Sequence, residues 1–170
     1  NAARDLGRLE EADGNTDRAI ELELIAMQAD LQRHVATELS SGPIAAELAR
    51  VCSLSRSSER LFALDARETA LALAKDAVNR LQGLREDLAG LPEDLQLCFR
   101  DQVETHYRWL ADLFISENRP DEASRVLEML KSFESYQFTL RSAEAIGASF
   151  ETLPVLPQER QLIDTIGEVG

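Results

Sequence analysis

Three stretches of this chain superpose without a gap, and that internal repetition limits the possible fold more than any other feature. They are residues 6–19, 57–70 and 110–123. Each passes a small residue (Gly7, Ser58 or Ala111), then a turn-former (Gly14, Asp65 or Asn118), then an alanine (Ala19, Ala70 or Ala123), at constant spacing. Gly, Asp and Asn tolerate the left-handed backbone that ends a helix, so the middle position reads as a stop. Thr16-Asp17, Arg67-Glu68 and Pro120-Asp121-Glu122 then open the next helix, with acids in its first turn and Pro120 near its first position. The small residue and the alanine face one another where two antiparallel helices cross too closely for larger side chains. Each stretch is the turn of a helical hairpin. The equivalent alanines lie 51 and 53 residues apart, and this agreement argues against chance.

Composition points the same way. Leu and Ala supply 48 of 170 residues and aromatics only 5%, which predicts an all-α protein with enough apolar side chains for a core. The periodicity predicts helices near 2–13, 16–39, 44–64, 67–89, 93–117 and 120–134, with breaks at Ser40-Ser41-Gly42-Pro43 and Gly90-Leu91-Pro92. Beyond Glu134 the pattern weakens, and Gly147, Pro154, Pro157, Gly167 and Gly170 crowd the end. The expected organisation is a helical repeat domain over 1–142. Residues 143–170 are expected to form a linker or extended tail toward a further domain, with a short helix at 157–166.

Thirty-one acidic residues against 18 basic ones leave a net charge of −13. Such a chain is a poor partner for nucleic acid or an anionic membrane surface, both of which need clustered Lys and Arg. No apolar run approaches the roughly 18 residues of a membrane-spanning helix, and the opening residues carry no signal-peptide pattern. Two cysteines make no disulfide framework, so a reducing cytoplasm is expected. Asn1 stands in place of Met inside a helical pattern, which suggests a piece of a longer protein.

No catalytic constellation is expected. Cys52, Cys98, His34 and His106 are the right number for zinc, yet no C-x-x-C or H-x-x-x-H pair preorganises two ligands. Cys52 falls in an apolar stripe with Leu48, Val51 and Leu54 and reads as a small hydrophobe. The histidines read as solvated or capped. Glu10-Glu11, Glu21 with Glu23, and Glu86-Asp87 read as solvated helix faces, and Arg4 with Arg8 and Glu11 as helix-surface pairs. No glycine cluster exists to cradle a phosphate or a cofactor, and no metal or cofactor is expected.

The superposed residues resemble the tetratricopeptide repeat (TPR), whose small residue falls on Gly7, Ser58 or Ala111 and whose alanine falls on Ala19, Ala70 or Ala123. Leu110, Phe114 and Leu127 fill large positions in the third copy, beside Trp109. Glu10 and Glu23 depart from the pattern in the first copy, as do Ser57 and Ala74 in the second. The intervals exceed the 34 residues of a standard repeat, so longer helices or extra turns are expected. The resemblance implies a solenoid of about three antiparallel hairpins that binds a protein or peptide segment in a concave groove. In the family, groove-facing positions fall on Arg4, Arg8 and Glu11, on Cys52, Ser55, Glu59 and Phe62, and on Thr105, Arg108, Asp112 and Ile115. Such a face suits a partner carrying charge and an apolar anchor.

The segments 126–131, 136–141 and 152–159 are similar to the junction in bacterial TPR proteins that continue into a caspase-like CHAT peptidase domain. That resemblance implies a regulatory array lying before the catalytic domain. A free-standing adaptor is the alternative, and an enzyme in its own right the outlier.

Overall fold

The computed structural model describes residues 2–88, 93–139 and 152–168, and those residues form helices and connecting turns with no strand. The helices are α1 (Ala2–Ala12), α2 (Thr16–Ser41), α3 (Pro43–Ala63), α4 (Arg67–Leu88), α5 (Glu93–Ser116), α6 (Pro120–Thr139) and α7 (Pro157–Glu168). The first six lie close to the ranges read from the periodicity. Their lengths, up to 26 residues in α2, account for the long interval between hairpins.

The three expected turns share one geometry. Gly14, Asp65 and Asn118 have φ of 80°, 63° and 56°, the left-handed region at each helix end. At each turn the left-handed residue donates its N–H to the carbonyl three back, namely Glu11, Phe62 or Ile115. The following residue (Asn15, Ala66 or Arg119) donates five back, to Glu10, Leu61 or Phe114, at 2.8–2.9 Å. This pair of bonds satisfies carbonyls that a helix end otherwise leaves open. The next helix then begins with the alanine N–H of Ala19, Ala70 or Ala123 donating to the carbonyl of Asn15, Ala66 or Arg119.

The other junction differs from its expectation. The break at 40–43 shrinks to one residue, because α2 runs to Ser41 and α3 starts at Pro43. Gly42 has φ 87°, and Pro43 enters the helix where its missing N–H costs nothing. The break at Gly90-Leu91-Pro92 lies outside the described residues.

The chain divides into two compact units, residues 1–80 with 154–170, and residues 81–153. In the first, α1 packs on α2 and α2 on α3. Gly7 is buried there, and a β-carbon added to it would stand 3.4 Å from the Leu22 Cβ. Ser58 is fully buried, and its hydroxyl donates to the Ala70 carbonyl at 2.7 Å, joining α3 to α4. The run from Ala70 to Lys75 in α4 is buried at every position, the pattern of a helix enclosed on all sides. In the second unit α5 packs on α6, with Ala111 and Ala123 buried among Tyr107, Leu110, Phe114, Val126 and Leu130. Arg119 stacks over Phe114 at 4.9 Å.

The short helix expected at 157–166 is present as α7, Pro157–Glu168, and the rest of the segment expected as a linker or tail is described only over 152–156. Residues 152–156 are irregular, α7 follows, and α7 belongs to the first unit, where it touches α2.

Candidate functional site

The seam between α1, α2 and α3 is held by charge, and Glu23 in it stands where the repeat pattern usually has a large apolar residue. Glu23 is buried at 3% exposure, and its Oε1 accepts from Arg4 Nε at 3.2 Å and Ser57 Oγ at 2.8 Å. Arg4 also reaches Asp30 Oδ2 at 2.5 Å and Ser57 Oγ at 3.4 Å. Arg33 closes on the other oxygen of Asp30, and Ser53 Oγ lies 3.5 Å from Oδ2. Burial alone would lift the Asp30 carboxyl, but the bonds from Arg4 and Arg33 outweigh it and hold the group below its ordinary value. Burial would likewise lower Arg4, and Asp30 with Glu23 raises it instead.

This geometry corrects two sequence readings. Glu23 is not on a solvated face, and Arg4 is not one of a set of helix-surface pairs. Two of the four departures from the repeat pattern, Glu23 in α2 and Ser57 in α3, are hydrogen-bond partners of one another.

The other expected partner-binding residues divide by exposure. Arg8 is exposed on α1, 3.9 Å from Asp5. Glu11 pairs with Arg60 of α3 and is held below its ordinary value chiefly by that bond. Ser55 is buried at 3% exposure, so it offers no accessible surface. Glu59 is exposed, while half-buried Phe62 lies under the Arg67 guanidinium at 5.2 Å. On α5, Thr105, Arg108, Asp112 and Ile115 are all exposed, with Arg108 bonded to Glu104 at 2.6 Å. Leu6 and Leu9 beside Arg8 are exposed as well. The structure thus leaves Arg8, Glu59, Thr105, Arg108, Asp112 and Ile115 accessible, and commits Arg4 and Glu11 to other helices.

Cys52 is half-buried, and burial pushes its thiol up while Arg56 partly opposes the shift. A thiol held protonated is a poor nucleophile. Burial lowers His106, which favours the neutral ring. The side chains of His34 and Cys98 lie outside the described residues. Among the described residues no three His, Cys, Asp or Glu side chains gather as metal ligands. None of the described helices is long and apolar enough to cross a membrane.

One buried pair escaped the sequence reading. Lys75 of α4, 1% exposed, donates from Nζ to both carboxylate oxygens of Glu159 at 2.9 Å and to the Pro154 carbonyl at 3.2 Å. Glu159 also accepts from the Leu156 N–H at 2.8 Å, closing the first turn of α7 from its third position. A lysine inside the run Ala70–Val78 was the available signal.

No family model, curated protein or solved structure matches this chain.

Proposed function

We propose that this chain is a TPR-type array that binds a protein segment through the exposed faces of its hairpins' first helices, and that performs no chemistry of its own. In this reading it belongs to a cytoplasmic bacterial protein and controls a caspase-like peptidase domain attached after Gly170. The observation that carries the repeat reading is the turn at Gly14, Asp65 and Asn118, which recurs with one hydrogen-bond pattern and one left-handed backbone. Arg108, Asp112 and Ile115 supply two charges and an apolar side chain on one helix, the mixture a charged segment with an apolar anchor needs. The alternative is a free-standing adaptor. The Lys75–Glu159 pair favours the regulatory version, because it ties the end of the chain to the array rather than leaving it loose.

The test combines Arg108→Glu with Asp112→Arg. Both residues are exposed, and losing the surface pair with Glu104 costs little stability. In the full-length protein the double reversal weakens affinity capture of its protein partner and alters the attached peptidase activity. Unchanged capture removes the assigned face. Weakened capture with unaltered activity leaves the adaptor.

A further inference from the structure

The first unit contains a hollow of about 390 Å³ lined by Arg4, Asp30, Arg33, Ala49, Cys52, Ser53 and Arg56. It lies among the first turn of α1, the later half of α2 and the middle of α3. Its charge runs against that of the chain. Three guanidinium groups line it beside one carboxylate, on a protein whose net charge is −13.

The lining carboxylate is already occupied. Asp30 accepts from Arg33 on one oxygen and from Arg4 and Ser53 on the other. Arg4 is bound by Asp30, Glu23 and Ser57. Arg56 is exposed and makes no ion pair among the described residues. Its positive charge nevertheless reaches the hollow, where it opposes the upward shift of the Cys52 thiol. Counting Glu23 behind Arg4, three positive and two negative groups leave one unit of positive charge. A single carboxylate closes that count, whereas a phosphate at about −2 exceeds it. The planar guanidinium also matches a carboxylate in two parallel hydrogen bonds.

We infer that this hollow receives one carboxylate from the protein segment that the array binds, with Arg56 as the principal donor. The inference rests on the protein-binding reading and adds the partner's chemistry: an acidic side chain or a chain-terminal carboxylate, received by the first unit, whereas Arg108 and Asp112 belong to the second.

Cys52 lines the hollow and serves as the reporter. In a Cys98→Ser background, alkylation of Cys52 by iodoacetamide is followed by mass spectrometry at constant ionic strength. N-acetylglutamate amide, with one side-chain carboxylate, is titrated against N-acetylglutamine amide as the uncharged control. The expected result is a saturable, severalfold slowing by the glutamate compound alone. Arg56→Gln then weakens that protection about tenfold, the loss expected for one charge-assisted hydrogen bond. Arg33→Gln, also at an exposed position, weakens it in the same direction and serves if the Arg56 variant does not fold. Equal protection by both compounds, none by either, or protection untouched by Arg56→Gln overturns the inference. Stronger protection by inorganic phosphate overturns the carboxylate assignment. A negative result here leaves the Arg108 and Asp112 face to its own test, so the two readings fail separately.

Discussion

Removing Glu159 isolates the contribution of one buried contact to holding the end of the chain. In Glu159→Ala the Lys75 ammonium, 1% exposed, loses both of its 2.9 Å bonds to that carboxylate. Deleting one partner of a buried pair costs about 3–5 kcal/mol, because the remaining charge is buried without compensation. The Leu156 N–H loses its acceptor too, which adds about 1 kcal/mol at the start of α7. Relief is available by undocking α7, which returns Lys75 to water. The measured loss therefore cannot exceed the free energy with which α7 is docked.

Hydrogen exchange resolves the two outcomes. Amides of 160–168 should lose protection in Glu159→Ala, while those of α1, α2 and α3 keep theirs. Lys75→Met combined with Glu159→Leu should restore much of the docking, since apolar side chains of similar volume replace buried ion pairs at little or no cost. The coupling between the two positions in a double-mutant cycle should reach about 2 kcal/mol. Unchanged protection of α7 in Glu159→Ala would refute the reasoning, as would a coupling near zero.

The second unit offers a test of the repeat register. Ala123→Arg forces a long charged side chain into the α5–α6 crossing, where Ala123 is 3% exposed, and should cost about 3 kcal/mol or more; a wild-type melting temperature would show the register to be wrong. Acidification should act in two stages. His106 has its pKa lowered by burial, so the unfolded chain takes the proton first, and stability falls as pH drops through the ordinary value of 6.5 toward the lowered one. Asp30 is held below its ordinary 3.8, so its contribution persists above that value and disappears as pH falls through the lowered one. Denaturant midpoints measured against pH should flatten in the upper range for His106→Gln and in the lower range for Asp30→Asn; parallel curves for wild type and variants would contradict both assignments.

The hairpin turns were legible because their signal is local. A left-handed residue and the alanine five positions beyond it lie within a single turn, and Gly14, Asp65 and Asn118 could be aligned from the sequence alone. The helices followed from composition and period. The polar seam was not legible, since Arg4, Glu23 and Ser57 are 19 and 34 residues apart and only packing brings them together. An acid in an apolar position looked like a fault in the repeat, and its remedy lay on another helix. Ser55 failed for a related reason. A position inherited from a repeat of 34 residues need not keep its face when the interval is 51. Lys75 and Glu159 stand 84 residues apart, beyond any helical periodicity.

The seam between α1, α2 and α3 also answers why charge occupies positions where leucine would serve. A buried ion pair adds little net stability over an apolar core of equal volume. Its geometry, however, is strict. If α3 slid one turn along α2, about 5.4 Å, Ser57 would carry its hydroxyl out of reach of Glu23. A carboxylate 3% exposed would then lose the shorter of its two bonds, at a cost of about 1.5–3 kcal/mol for a hydrogen bond to a charged group. Leucines at the same places could repack after such a slip with a smaller loss, because apolar contacts have no direction. Arg4 strengthens the constraint by binding Glu23, Asp30 and Ser57 at once, so α1 is fixed to both α2 and α3. Arg8 and Glu59, exposed on α1 and α3, inherit that fixed spacing, which is what a binding face built from separate helices requires.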